Sequence, residues 1–95
     1  MYARLIIFNL GSGMGAAAER LTDRFAPLLK ARRGLVDAIF FANDAAGEYG
    51  VLTIWESKED VEEEATLVIP RLQDALASFS VTPTIRLFQV YEPRE

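Results

Sequence analysis

Two residues have the types and positions to do chemistry. Asn9 interrupts the apolar run "RLIIFNL" near its carboxyl end. Trp55, the only tryptophan, sits where "GVLTIWESKEDVEEE" passes from apolar to acidic. A buried indole N–H needs an acceptor, so Trp55 either plugs a strand–helix corner or lines a pocket. A buried amide needs partners too, so Asn9 either bonds the following loop backbone or aims a donor into that pocket. The usual chemistry is missing around them. The chain has no histidine and no cysteine, which removes the commonest general base and metal ligand, thiolate catalysis, zinc-thiolate sites and disulfides.

Two motifs invite a ligand reading and have plainer explanations. "GSGMGA" places Gly11, Gly13 and Ala16 in a G-x-G-x-x-A pattern between a strand and a helix, with Asp37 about 20 residues on. The chain is short for a dinucleotide fold, its second strand runs into a hairpin, and Asp37 lies early in that strand. The motif therefore reads as a loop entering a helix. The acidic run Glu56, Glu59, Asp60, Glu62, Glu63 and Glu64 spreads around a helix with no histidine beside it. It reads as a solvated face with acids near the helix start, and no metal site is expected. Lys30, Arg32 and Arg33 complement the end of the first helix.

The elements that must position these residues follow from periodicity. Residues 4–10 and 35–42 read as strands, 49–56 as a third and 84–92 as a fourth. From Ala16 the pattern is helical, with Ala17, Leu21, Phe25 and Leu28 on one stripe. Pro27 should kink or divide this helix, and Gly34 is a stop signal. "NDAAGE" (43–48) is turn chemistry. Ser57 caps a second helix, whose buried stripe is Val61, Ala65, Val68, Leu72 and Leu76, with a kink expected at Pro70. The order β-α-β-β-α-β with a central hairpin is the split βαβ, or ferredoxin-like, arrangement of an α+β protein, spanning residues 1–95 as one domain. With the first and third strands taken as parallel neighbours, Asn9 and Trp55 meet at one end of the sheet, under the helices.

The strands are apolar on both faces: Leu5 and Ile7 oppose Ile6 and Phe8, and Ile39 and Phe41 oppose Ala38 and Phe40. A single-sided antiparallel sheet alternates apolar and polar. A large uncovered apolar face marks an interface, so two four-stranded antiparallel sheets are expected to pack face to face in a homodimer. Composition sets the outer bounds. Half of the 95 residues are hydrophobic and a quarter charged, an ordinary globular balance. A net charge of −4 argues against a nucleic-acid partner. No run approaches the ~20 apolar residues of a membrane span, and the apolar start is too short for a signal peptide. The absence of cysteine fits a cytoplasmic protein.

The segment "YGVLTIWESKED", followed by a helix, resembles the Trp-Glu-Ser segment of the antibiotic biosynthesis monooxygenase-like proteins. The likeness extends over nearly the whole chain, through the "GLVDAIFFANDAAGEYG" hairpin to the final strand, with Trp-Glu-Ser its specific part. It implies a dimeric α+β barrel in which two ferredoxin-like subunits pair sheet to sheet. Some members of that family oxidise quinol or anthrone-like compounds with dioxygen and no cofactor. Others degrade haem with an Asn on strand one, a Trp matched here by Trp55, and a His on helix two. Asn9 and Trp55 carry over as catalytic candidates, whereas the histidine has no counterpart. Haem ligation in that manner is therefore not expected, nor is any other cofactor. What the resemblance leaves is substrate-assisted oxygenation of a small aromatic compound, with Asp37, Tyr49, Arg86 and Tyr91 as candidates to bind or deprotonate it. The alternative is a non-catalytic ligand-binding or structural dimer of the same fold.

Overall fold

The computed structural model describes residues 1–93. Its elements run β1 (Tyr2–Asn9), α1 (Gly15–Lys30), β2 (Leu35–Asn43), β3 (Glu48–Trp55), α2 (Lys58–Leu67), α3 (Ile69–Ala77) and β4 (Thr84–Gln89). The strands form one sheet in the order β2-β3-β1-β4, with every neighbouring pair antiparallel. This is the ferredoxin-like α+β architecture expected from the sequence. No described helix is long and apolar enough to cross a membrane.

One expectation is overturned by this topology. The α1 crossover returns the chain so that β2 runs in the direction of β1. The hairpin at 44–47 then reverses it, so β3, inserted between the two, opposes both. The β1–β3 register pairs Tyr2 with Trp55 and Asn9 with Glu48. Asn9 and Trp55 therefore stand at opposite ends of the sheet and do not meet.

Directly paired residues share a sheet face, so the register sorts every strand. Arg4, Ile6 and Phe8 of β1 and Tyr49, Val51, Thr53 and Trp55 of β3 point to the helices, and all are buried. There they join Leu21, Phe25 and Leu29 of α1, Val61 of α2, Val68, and Leu72 and Leu76 of α3 in one core. The opposite face carries Leu5, Ile7, Ile39, Phe41, Leu52, Ile54 and Phe88, of which Ile39 is 51% and Phe88 42% exposed.

Local chemistry explains the helix boundaries. Ser57 accepts a hydrogen bond from the Asp60 amide at 3.2 Å and donates its hydroxyl to the Asp60 carboxyl at 2.8 Å, a cap that opens α2. Pro70 does more than kink the following stretch. It sits in the first turn of a separate helix, α3, where a missing N–H costs nothing. Pro27 does less than expected, since α1 continues through it to Lys30. At Gly47 (φ +72°) the hairpin turn lies directly on the backbone of Gly11, and the Leu10 amide bonds the Gly47 carbonyl at 3.0 Å. The glycine-rich loop after β1 is thus shaped by the hairpin docked on it.

Candidate functional site

The helix-side face of β1 is apolar except for Arg4, which is 2% exposed. Its position two residues before Ile6 and four before Phe8 directs it into the core. A guanidinium there requires a counter-charge, and Glu64 of α2, 1% exposed, supplies it. Glu64 reaches the core because it follows Val61 by three residues and precedes Val68 by four, which puts it on the buried stripe of its helix. Arg4 Nη1 donates to Glu64 Oε1 at 2.7 Å, and Nη2 donates to Oε2, a two-pronged pair. Arg4 Nε is also buried and has no acceptor among the described residues.

Trp55 completes this cluster from β3. It is fully buried. Its indole N–H donates to Thr53 Oγ1 at 2.8 Å, and the Thr53 hydroxyl donates to the Arg4 carbonyl at 3.3 Å. The Arg4 guanidinium lies over the indole, 5.6 Å from the ring centroid, within cation–π range. Trp55 is therefore a core residue whose polar edge is satisfied.

Beside the cluster, between the helices and the sheet, is a cavity of about 330 Å³. Its wall is mainly apolar and includes Ile6, Phe8, Leu21, Phe25, Phe40, Val51 and Leu72. The polar side chains on it are Arg4, Glu19, Thr22 and Tyr49. Glu19 is exposed, whereas Arg4 and Tyr49 are buried. A mainly apolar hollow of this size with a few placed polar groups has the form of a small-molecule site.

Of the six residues singled out from the sequence, Tyr49 reaches this wall. Its hydroxyl donates to Asp44 Oδ1 at 2.5 Å and accepts from the Met14 amide at 3.1 Å, tying the hairpin to the start of α1. The hydrogen bond to Asp44 holds its pKa above the usual 10.0. Burial and the charge of Asp44 act in the same direction, and the Met14 amide opposes them. Tyr49 is thus a protonated phenol near neutral pH. A pH dependence follows. The unfolded chain releases the tyrosine proton near pH 10 while the folded chain retains it, so the unfolded state binds fewer protons and stability falls as pH rises. Urea unfolding across about pH 9 to 11 should show this decline, and Tyr49→Phe should flatten it. An equal decline in the variant would refute the assignment.

The other five lie elsewhere. Asn9 is exposed, accepts from the Gly11 amide at 2.8 Å and donates to the Ala46 carbonyl at 3.4 Å, so it is bonded by loop backbone. Trp55 is in the adjacent core and off the cavity wall. Asp37 is exposed and accepts from the Ala38 amide at 2.9 Å. Arg86 lies on the outer face of β4 over Phe88, 5.1 Å from the ring centroid. Tyr91 follows β4 and is 84% exposed. The sequence reading missed Arg4 and Glu64. Their signal was parity: a cation in phase with Ile6 and Phe8, and one acid of the run in phase with Val61 and Val68. Glu59, Glu62 and Glu63 are exposed as expected of a solvated face. Among the described residues no group of three acids could hold a metal ion.

No family model and no curated protein matches the sequence. Solved structures do. A protein assigned as an antibiotic biosynthesis monooxygenase from Deinococcus radiodurans superposes with a TM-score of 0.84 at 15% identity, covering 100% of this chain and 97% of that one. SnoaB, a cofactor-independent oxygenase from Streptomyces nogalater, gives 0.72 at 17% identity over 97% and 94% of the two chains. A monooxygenase of Streptomyces coelicolor, solved in complex with the ligand nanaomycin D, gives 0.74 at 14% identity over 99% and 90%. The chain therefore shares the fold of these antibiotic biosynthesis monooxygenase-like structures.

Proposed function

We propose that the protein is a cofactor-independent monooxygenase acting on a small aromatic compound of the quinol or anthrone type. The observation that carries this reading is the mainly apolar, aromatic-lined cavity with a buried cation on its wall. In such chemistry the substrate is its own reductant. A methylene of an anthrone-type ring becomes a ketone when one oxygen atom of O2 stays on the carbon. The other oxygen leaves as water with the two methylene hydrogens. The protein then contributes orientation and exclusion of water. The similar folds of a cofactor-independent oxygenase and of a monooxygenase bound to nanaomycin D support the assignment.

A second reading, a ligand-binding protein without turnover, is favoured by one feature of the wall. Its single carboxyl, Glu19, is exposed, and the Tyr49 hydroxyl is already committed to Asp44 and Met14. Among the described residues of the wall, none is a buried carboxylate or an imidazole that could take a proton. Oxygen consumption separates the two. Purified protein without added cofactor should accelerate O2 uptake by one of a panel of anthrones and reduced quinones. Binding of these compounds without accelerated uptake would select the second reading.

In either case we propose a homodimer paired through the outer sheet face. Exposed Ile39, Phe41 and Phe88, with Leu5, Ile7, Leu52 and Ile54 between them, form an apolar surface that forgoes ~25 cal/mol for each square ångström left in water. Sedimentation at micromolar concentration should show a dimer that Ile39→Lys dissociates. A monodisperse wild-type monomer would remove this proposal.

A further inference from the structure

Arginine has five N–H donors and no acceptor. Two of the five in Arg4 are used by Glu64, and no other side-chain acceptor contacts the guanidinium among the described residues. An unmatched donor in a buried place carries a desolvation cost. Here the donor is Nε of a side chain 2% exposed on the wall of the cavity. The same side chain is fixed by two constraints, the paired contact with Glu64 and the indole beneath it. A fixed side chain with spare hydrogens on the lining of an apolar hollow is the feature that orients a ligand by one polar atom.

We propose that Arg4 is the ligand-orienting group of this cavity, and that it takes a hydrogen-bond-accepting oxygen on an aromatic ring: a ring carbonyl or a phenolic oxygen. The inference rests on the cavity being a site for an aromatic compound, as in the function proposed above, and adds the part of the molecule that is recognised. The electrostatics select among oxygens. Glu64 already balances the charge of Arg4, so a neutral carbonyl or phenol completes the donors without adding charge to an apolar space. A carboxylate would enter as a second anion beside Glu64 and carry a burial cost of its own. Arg4 is thus assigned a positioning and specificity role toward the ligand.

The test compares 1-tetralone with tetralin, which differ by one carbonyl oxygen, by equilibrium dialysis in the absence of any turnover. The variant is the double substitution Arg4→Met with Glu64→Leu, because removing both members of a buried ion pair leaves no stranded charge. Circular dichroism and a cooperative melt establish that it folds. A hydrogen bond from a charged donor is worth enough that 1-tetralone binding should weaken roughly 10- to 100-fold, while tetralin binding holds or tightens. In the wild-type protein 1-naphthoate should bind more weakly than 1-tetralone. Equal losses for ketone and hydrocarbon, no loss for either, or no saturable binding of 1-tetralone to the wild type would each overturn the proposal. The outcome is separable from that of the function proposed above. Selective loss of the ketone without any oxygen uptake leaves Arg4 assigned and removes the oxygenase. Oxygen uptake that survives the double substitution does the reverse.

Discussion

Truncating Trp55 to alanine should cost about 3–5 kcal/mol of folding stability, measured by urea unfolding at fixed protein concentration. The side chain is fully buried and spans the junction between β3 and the Ser57 cap of α2. Its removal withdraws the platform under the Arg4 guanidinium and leaves a void that neighbours on a sheet and a helix can only partly close. The indole N–H to Thr53 bond adds a polar element. Trp55→Phe preserves much of the ring packing and deletes that donor, so it should cost less, about 1–2 kcal/mol. Because Trp55 is off the cavity wall, binding of 1-tetralone to Trp55→Phe should change less than threefold, on the order of 0.5 kcal/mol. A mild Trp55→Ala, below about 1 kcal/mol, would contradict the burial described here. A large binding defect in a stable Trp55→Phe protein would instead place the indole in the site.

Replacing Glu64 alone with leucine should be equally damaging, about 3–5 kcal/mol, because it leaves the Arg4 guanidinium in the interior without its counter-charge. A surface acid in the same helix offers the contrast. Glu62 is more than half exposed and pairs with Lys58 at 3.8 Å, and Glu62→Leu should stay within about 0.5 kcal/mol. The stronger check is the cycle with Arg4→Met. If the two side chains form one buried unit, the double variant should be more stable than the Glu64→Leu single variant, since no charge is stranded. Additive losses would show that the pair does not act as a unit.

The two experiments fall on residues that differed in legibility. Trp55 drew attention from the sequence at once, yet its role turned on what lay beside it. The indole N–H finds Thr53 two residues back in the same strand, on the same face, and the corner-plug reading describes that arrangement. Asn9 was as conspicuous, and its partners, Gly11 and Ala46, belong to the loops around it. Arg4 and Glu64 were less conspicuous. Arg4 sits at the start of an apolar run and Glu64 inside an acidic one, so neither stands out from its neighbours along the chain.

The sequence by itself determined the four strands, the first helix, the Ser57 cap and the two-faced apolar character of the strands, whereas the second helical stretch it read as one is two helices, α2 and α3. The features it determined depend on contacts between residues a few positions apart, where side-chain period and turn chemistry act directly. From the order alone the split βαβ architecture followed. The tertiary structure decided the relative direction of β1 and β3, which depends on the path of a crossover and a hairpin and not on either strand's own residues. That direction separated Asn9 from Trp55 by the length of the sheet. It also decided the pairing of Arg4 with Glu64 across 60 positions and the shape of the cavity beside them. A charge can be buried only where its partner is delivered to the same point, and that delivery is a property of the folded chain.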